Sequence, residues 1–127
     1  MAEKSMKTDL GRVRGLGSAK EGARHWWAQR LTAIALIPLT IWFAFSIANL
    51  ADANYSVAAE WLASPFVAIF MIIFVVAMLY HALLGVQVVV EDYINHEGWK
   101  FTILIGSKFL FVILGVTAVF SILKLAL

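Results

Sequence analysis

The sequence predicts an all-α membrane protein with three transmembrane helices. Of its 127 residues, 62% are hydrophobic and 14% are charged, whereas soluble domains contain roughly 45–50% apolar and about 25% charged residues. A soluble protein of this size cannot cover so many apolar side chains with polar surface, so the lipid bilayer has to act as its solvent. Three long apolar segments lead to the same prediction.

These segments define the predicted spans. Residues 31–51 and 61–90 contain no charged side chain, and residues 101–123 contain one, Lys108. About 20 helical residues cross a hydrocarbon core of about 30 Å, and lipid offers no partner for an unpaired backbone group, so each segment is expected to be helical. We place the spans at about residues 30–51, 64–90 and 101–124, within a membrane domain of residues 30–127.

A basic arm at residues 1–29 precedes the membrane domain and predicts its orientation. Most of the Lys and Arg residues lie before or at the start of the first span: Lys4, Lys7, Arg12, Arg14, Lys20, Arg24 and Arg30. Such residues remain on the cytoplasmic side, so the arm is predicted to be cytoplasmic rather than to bind nucleic acid. Three crossings then place the loop at residues 52–60 and the C-terminus outside, and the loop at residues 91–100 in the cytoplasm.

His81 is the principal candidate for chemistry, because it lies within the second span. An ionisable side chain at that depth is costly and is expected to face a partner or a cofactor. Ala77 and Gly85 lie four residues to either side, on the same helix face, and such small residues let a flat macrocycle or another helix approach the backbone. A neutral histidine that hydrogen-bonds a neighbouring helix is the alternative. The chain has no cysteine, which excludes disulfides and cysteine-ligated iron–sulfur clusters.

Further candidates lie at the ends of the spans. Tyr93, next to Asp92, has a hydroxyl that can donate to a carbonyl, while the carboxylate orients it or relays protons. A tyrosine in the interfacial aromatic belt is the alternative interpretation. Arg30, at the start of the first span, is expected to reach lipid headgroups or to pair with a buried anion. No set of residues predicts a catalytic nucleophile.

Two segments carry a resemblance to a known family. Residues 80–85, YHALLG, and residues 87–93, QVVVEDY, resemble the second helix of the small hydrophobic membrane anchor of succinate dehydrogenase, a cytochrome b anchor. In that family a histidine is followed twelve residues later by the tyrosine of an Asp-Tyr pair, as His81 is here by Tyr93. Residues 25–36, HWWAQRLTAIAL, resemble the lead into the family's first helix, and residues 14–19 resemble its bacterial, mitochondrial-like members.

The resemblance implies roles for individual residues. It makes His81 an axial ligand of the iron of a haem b, the other ligand coming from a partner anchor subunit. It makes Tyr93 a hydrogen-bond donor to ubiquinone, with Asp92 in support, and Arg30 a partner of a haem propionate.

The resemblance also implies an assembly. The three helices would form part of a heterodimeric anchor bundle with a second, cytochrome b anchor subunit, in a bacterial inner (cytoplasmic) membrane. An iron–sulfur subunit and a flavoprotein subunit would supply the electrons from succinate, since this chain is not expected to be catalytic alone. Two alternatives stay open at this point: the anchor of a fumarate reductase, and a structural membrane subunit without a cofactor.

Overall fold

The computed structural model describes residues 8–13 and 20–127, and every regular element in these two ranges is an α-helix. The helices are α1 (Asp9–Val13), α2 (Lys20–Asn49), α3 (Tyr55–Ala63), α4 (Pro65–Tyr93) and α5 (Glu97–Ala126). The predicted all-α class is therefore confirmed. Among the basic residues of the arm, Lys4, Lys7 and Arg14 lie outside the described residues, as does the segment 14–19 that contributes to the family resemblance.

Three helices are long and apolar enough to cross a membrane. They are Gly22–Asn49, Pro65–Tyr93 and Glu97–Ala126, with mean hydropathies of 2.1, 2.7 and 2.4. At a rise of 1.5 Å per residue each measures about 42–45 Å, which exceeds the hydrocarbon core of about 30 Å. The helices therefore continue beyond the apolar segments into the two interfaces, and α2 begins well before the predicted start of the first span.

The segment between the first two spans contains a helix where a loop was expected. Asn54 caps α3, its Oδ1 accepting a hydrogen bond from the backbone N–H of Val57 at 3.1 Å. The helix ends at Ser64, whose N–H donates to the carbonyl of Trp61. Pro65 then opens α4 at a position where its missing N–H costs nothing. α3 packs against α4 and α5.

The second span, α4, is the central helix of the bundle. It packs against both α2 and α5, whereas no Cα atoms of α2 and α5 in the described residues lie within 8 Å of each other. The best-buried apolar side chains follow the same arrangement, because all but one belong to α4: Ala68, Phe74, Leu84, Val90 and, on α5, Ile122. The buried side chains of α4 are thus held by its two neighbouring helices, while others in its middle, such as Val76 and Tyr80, are about half exposed.

Aromatic stacking closes one end of the bundle, which we call the aromatic end. The rings of Phe43 and Phe74 stack with centroids 4.8 Å apart. Trp42 lies 6.1 Å from Trp61 and 5.7 Å from Phe70. Aromatic pairs at these separations add to the packing between α2, α3 and α4. Several polar side chains, among them His25, Gln87 and Glu91, line a cavity at the opposite end, which we call the polar end.

Candidate functional site

His81 contacts the first span through one specific hydrogen bond. Its Nδ1 lies 2.9 Å from Oγ1 of Thr32, so the pair joins α4 to α2. By helix rise, His81 lies about 24 Å from the start of α4 and about 18 Å from its end at Tyr93. The structure therefore places the sequence-predicted histidine within the second candidate span, at its contact with the first.

Thr32 is itself fixed to the backbone of α2. Its hydroxyl lies 2.7 Å from the carbonyl oxygen of Ala28 and 3.1 Å from that of Gln29. Hydroxyls in membrane helices commonly donate to the carbonyl four residues earlier, and Ser46 and Thr102 do the same here. Within residues 8–13 and 20–127, Thr32 differs from them by also contacting a side chain of another span.

Two further polar side chains, His25 and Gln29, precede Thr32 on α2. Positions 25, 29 and 32 share one helix face because they are spaced by four and three residues. Nε2 of His25 and Oε1 of Gln29 are enclosed by protein, yet neither atom has a hydrogen-bond partner in the described part of the chain. Buried polar atoms almost always have a hydrogen-bond partner. We therefore expect a water or a group from another molecule to bond to these two atoms.

The second ring nitrogen of His81 is in a different situation. Nε2 is not among the enclosed atoms without a partner, and its residue is only partly buried. Close by on the same helix face, Gly85 borders open space, since a Cβ added there would meet no described atom within 4 Å. An accessible imidazole nitrogen beside an open stretch of backbone fits a planar, iron-containing ligand docking from outside the chain. The described residues contain no cluster of three or more His, Cys, Asp or Glu side chains that could hold a bare metal ion.

Tyr93 and Asp92 lie at the end of α4, as the sequence predicts. Tyr93 is the last residue of the helix and 81% exposed, and Asp92 is exposed as well. The neighbouring Glu91 accepts a hydrogen bond from Nε2 of Gln87 at 3.1 Å. The structure does not bring Tyr93 to His81: the two are separated by about 18 Å of helix.

Arg30 lies on α2, two residues before Thr32, and is exposed. Its guanidinium carbon is 5.3 Å from the ring centroid of Trp26, and Trp26 packs edge-on against Trp27 at 5.0 Å. A cation over an exposed indole contributes about 0.5–1 kcal/mol. The contact holds the guanidinium near the helix surface, where an anionic group from outside the chain can reach it.

A cavity between α2, α4 and α5 at this polar end was not predicted from the sequence. Its volume is about 520 Å³, and its polar lining consists of Arg24, His25, Tyr80, Gln87, Glu91 and Lys108. The spacing of positions 80, 87 and 91 on one face of α4 is a signal that could have revealed it. Lys108 thus faces a polar cavity rather than only lipid.

These features define a class of protein. The chain is a three-span membrane protein whose second span carries His81, a partly buried histidine bonded to the first span through Nδ1. At its polar end, two enclosed polar atoms have no hydrogen-bond partner in the described chain and can bond to another molecule.

Comparison with known proteins identifies the family. Residues 4–123 match the model of the succinate dehydrogenase/fumarate reductase transmembrane subunits. The succinate dehydrogenase hydrophobic membrane anchor subunit of Rickettsia bellii is 38% identical over 113 residues, covering 88% of this chain and 89% of the relative. The protein of the same name from Paracoccus denitrificans is 28% identical over 113 residues, covering 89% and 87%. The chain belongs to the family of succinate dehydrogenase/fumarate reductase transmembrane subunits.

Proposed function

We propose that the chain is the membrane anchor subunit of a bacterial succinate dehydrogenase that binds haem b and contributes to ubiquinone reduction. Membership of the family and the names of the relatives from Rickettsia and Paracoccus support the assignment as a succinate dehydrogenase membrane anchor, whereas the haem and quinone roles are argued from the residues below. The family also includes fumarate reductase subunits, but the names of these relatives favour succinate oxidation. The partners are then a second, cytochrome b anchor subunit, an iron–sulfur subunit and a flavoprotein subunit.

The haem proposal rests on the different surroundings of the two ring nitrogens of His81. Nδ1 is held by Thr32, while Nε2 belongs to a partly buried residue and is not among the enclosed atoms without a partner. His81 would supply one nitrogen ligand to the haem iron, and the partner anchor would supply the other ligand. When bound, the haem provides a one-electron redox centre, and Arg30 is the residue proposed to pair with a propionate.

The quinone proposal rests on the position of Tyr93. Its hydroxyl is exposed at the end of α4, where it donates a hydrogen bond to a carbonyl oxygen of ubiquinone. Asp92, the preceding residue, supports the hydroxyl or supplies protons. The quinone then lies at the membrane surface, within reach of an iron–sulfur subunit, and the haem lies deeper.

The orientation completes the proposal. The basic arm and the loop before α5 are cytoplasmic, whereas α3 and the C-terminus face outward. Reporter fusions after residue 56 and at the C-terminus are both expected to report the external side. A cytoplasmic C-terminus would contradict the orientation.

A purification from membranes tests the assembly directly. A tag on this chain is expected to co-purify the dehydrogenase subunits together with succinate–ubiquinone reductase activity and haem b. Deletion of the gene is expected to release the succinate dehydrogenase activity, measured with an artificial dye, into the soluble fraction. If the dehydrogenase stays on the membrane and the tagged chain purifies without it, the proposal is wrong.

A further inference from the structure

We infer that Thr32 is a positioning residue that keeps the proton of His81 on Nδ1 and so presents the lone pair of Nε2 to the haem iron. This inference rests on the proposed haem function where it concerns the iron. The part that concerns the tautomer of His81 rests only on hydrogen bonds within this chain.

The direction of the Thr32–His81 hydrogen bond follows from counting protons. A hydroxyl has one proton and two lone pairs. The carbonyl of Ala28, at 2.7 Å, can only accept, and that of Gln29, at 3.1 Å, competes for the same proton. If the hydroxyl proton of Thr32 pointed to His81 instead, no proton would lie between the Thr32 hydroxyl oxygen and the Ala28 carbonyl oxygen. Their lone pairs would then repel each other at a hydrogen-bond distance. Thr32 therefore donates to its own helix and accepts from Nδ1–H of His81 at 2.9 Å.

The consequence for His81 follows from the chemistry of imidazole. A neutral ring carries one N–H, so a proton on Nδ1 leaves Nε2 as the basic atom. This nitrogen is also the one left accessible at the protein surface. Ligating histidines characteristically donate their other N–H to an oxygen, which fixes the tautomer and ring orientation and raises the basicity of the ligand.

Thr32 is well suited to this role because its own conformation is restricted. Its β-branched side chain has few χ1 rotamers in a helix, and the bond to Ala28 selects among them. The hydroxyl that donates to a carbonyl also becomes a better acceptor, since hydrogen bonds in a chain polarise one another. Position 32 therefore affects the electron donation of His81 without touching the iron.

The test compares wild type with two variants in the purified complex. Thr32→Val preserves the shape and removes the acceptor, whereas Thr32→Ser preserves a hydroxyl. Loss of a partner of this kind lowers metal affinity about 10–100-fold, so Thr32→Val should lose haem on dilution more readily than wild type. Its remaining haem should have a higher reduction potential, because a weaker donor stabilises the ferric iron less. Thr32→Ser should restore both properties.

Thr102→Val is the matched control. Thr102 makes the same bond to a carbonyl four residues earlier, at 2.8 Å, and does not contact His81. It should leave the haem content and potential unchanged. The inference would be overturned if Thr32→Val retained haem and had a haem reduction potential equal to wild type, while His81→Leu lost the haem. The proposed haem function would then remain intact.

A second measurement keeps the two claims separate. Nitrogen NMR of the histidines in the detergent-solubilised full chain, with His81 assigned by its loss in His81→Leu, reports the tautomer without haem. The inference predicts an Nδ1–H tautomer in wild type that weakens in Thr32→Val. An Nε2–H tautomer would overturn it. A purified complex without haem would instead refute the proposed haem function. The claim about the His81 tautomer would then be tested by this NMR spectrum alone.

Discussion

The two ends of the bundle contain cavities of nearly equal size and opposite chemistry. The cavity at the aromatic end measures about 530 Å³ and is lined almost entirely by apolar side chains, among them Ile47, Leu62 and Val75. The cavity at the polar end measures about 520 Å³, and six of its lining side chains carry polar groups. Size alone therefore does not distinguish the two ends.

The difference lies in what each end needs from other molecules. The aromatic end is packed by stacked rings, such as those of Phe43 and Phe74. A lipid chain can fill its cavity without leaving a polar group unpaired. The polar end holds enclosed atoms of His25 and Gln29 without partners in the described chain. The aromatic end thus needs only apolar packing, whereas the polar end offers two enclosed polar atoms to a water or to another molecule.

The largest effect is expected from filling the open space beside His81. A Cβ at position 85 would meet no described atom within 4 Å, so we expect the fold of the subunit to tolerate Gly85→Leu. A ligand that occupies this space would be displaced, and overpacking of this kind costs about 1–3 kcal/mol. We expect haem content, measured by absorbance per complex, to fall about 10-fold or more.

Gly106→Leu provides the control for this change. Gly106, on α5, also borders open space, so the same substitution there has the same effect on the intrinsic properties of the helix. Haem content should remain at the wild-type value. Equal haem in both variants would show that the space beside Gly85 is not a ligand site.

A smaller effect, on stability alone, is expected at the aromatic end. Phe74→Ala removes a ring that is 7% exposed and stacked on Phe43. The cost should be about 2 kcal/mol, below the roughly 3–5 kcal/mol of soluble cores, because within lipid the loss is mainly one of packing contacts. The thermal midpoint of the complex should fall while the haem spectrum stays unchanged. Phe120→Ala, at a position 66% exposed, should change neither; an altered haem spectrum in Phe74→Ala would show that the ends are coupled.

The smallest effect is expected for the hydroxyl of Tyr93. Tyr93→Phe retains the ring and deletes one hydrogen bond, worth about 0.5–1.5 kcal/mol. Succinate–ubiquinone reductase activity should therefore decrease up to about 10-fold, while reduction of a dye that accepts electrons upstream is preserved. Tyr55→Phe, at a tyrosine of similar exposure (77%) on α3, should leave both activities unchanged. Full quinone reductase activity in Tyr93→Phe would show that Tyr93 is an interfacial aromatic residue and not a quinone ligand.

The spans and the main site residue were predictable because their signals are local. A run of uncharged residues determines a membrane helix by itself, and a histidine inside such a run is exceptional in any fold. The second span was likewise predicted to begin at about residue 64, and α4 begins at Pro65, where proline occupies the first helical position. These predictions required no knowledge of which helices are neighbours.

The remainder of the site depends on pairing between helices. The hydrogen bond between Thr32 and His81 spans 49 positions in the sequence, and only the antiparallel packing of α2 on α4 brings the two together. The polar cavity combines Arg24 and Lys108 from helices whose described Cα atoms do not approach within 8 Å of each other. α3 was missed because its half-buried positions, such as Trp61, become informative only once Trp42 is known to stack on them.

The central claim, that His81 of this chain holds the haem iron, is tested most directly by one spectrum. The reduced-minus-oxidised absorbance of the complex should be compared between wild type, His81→Leu and the control His96→Asn, which retains a side chain able to cap α5. We expect a haem b difference band in wild type and His96→Asn, and its loss or a large shift in His81→Leu. A wild-type band in an assembled His81→Leu complex would show that other residues hold the iron and would contradict this claim.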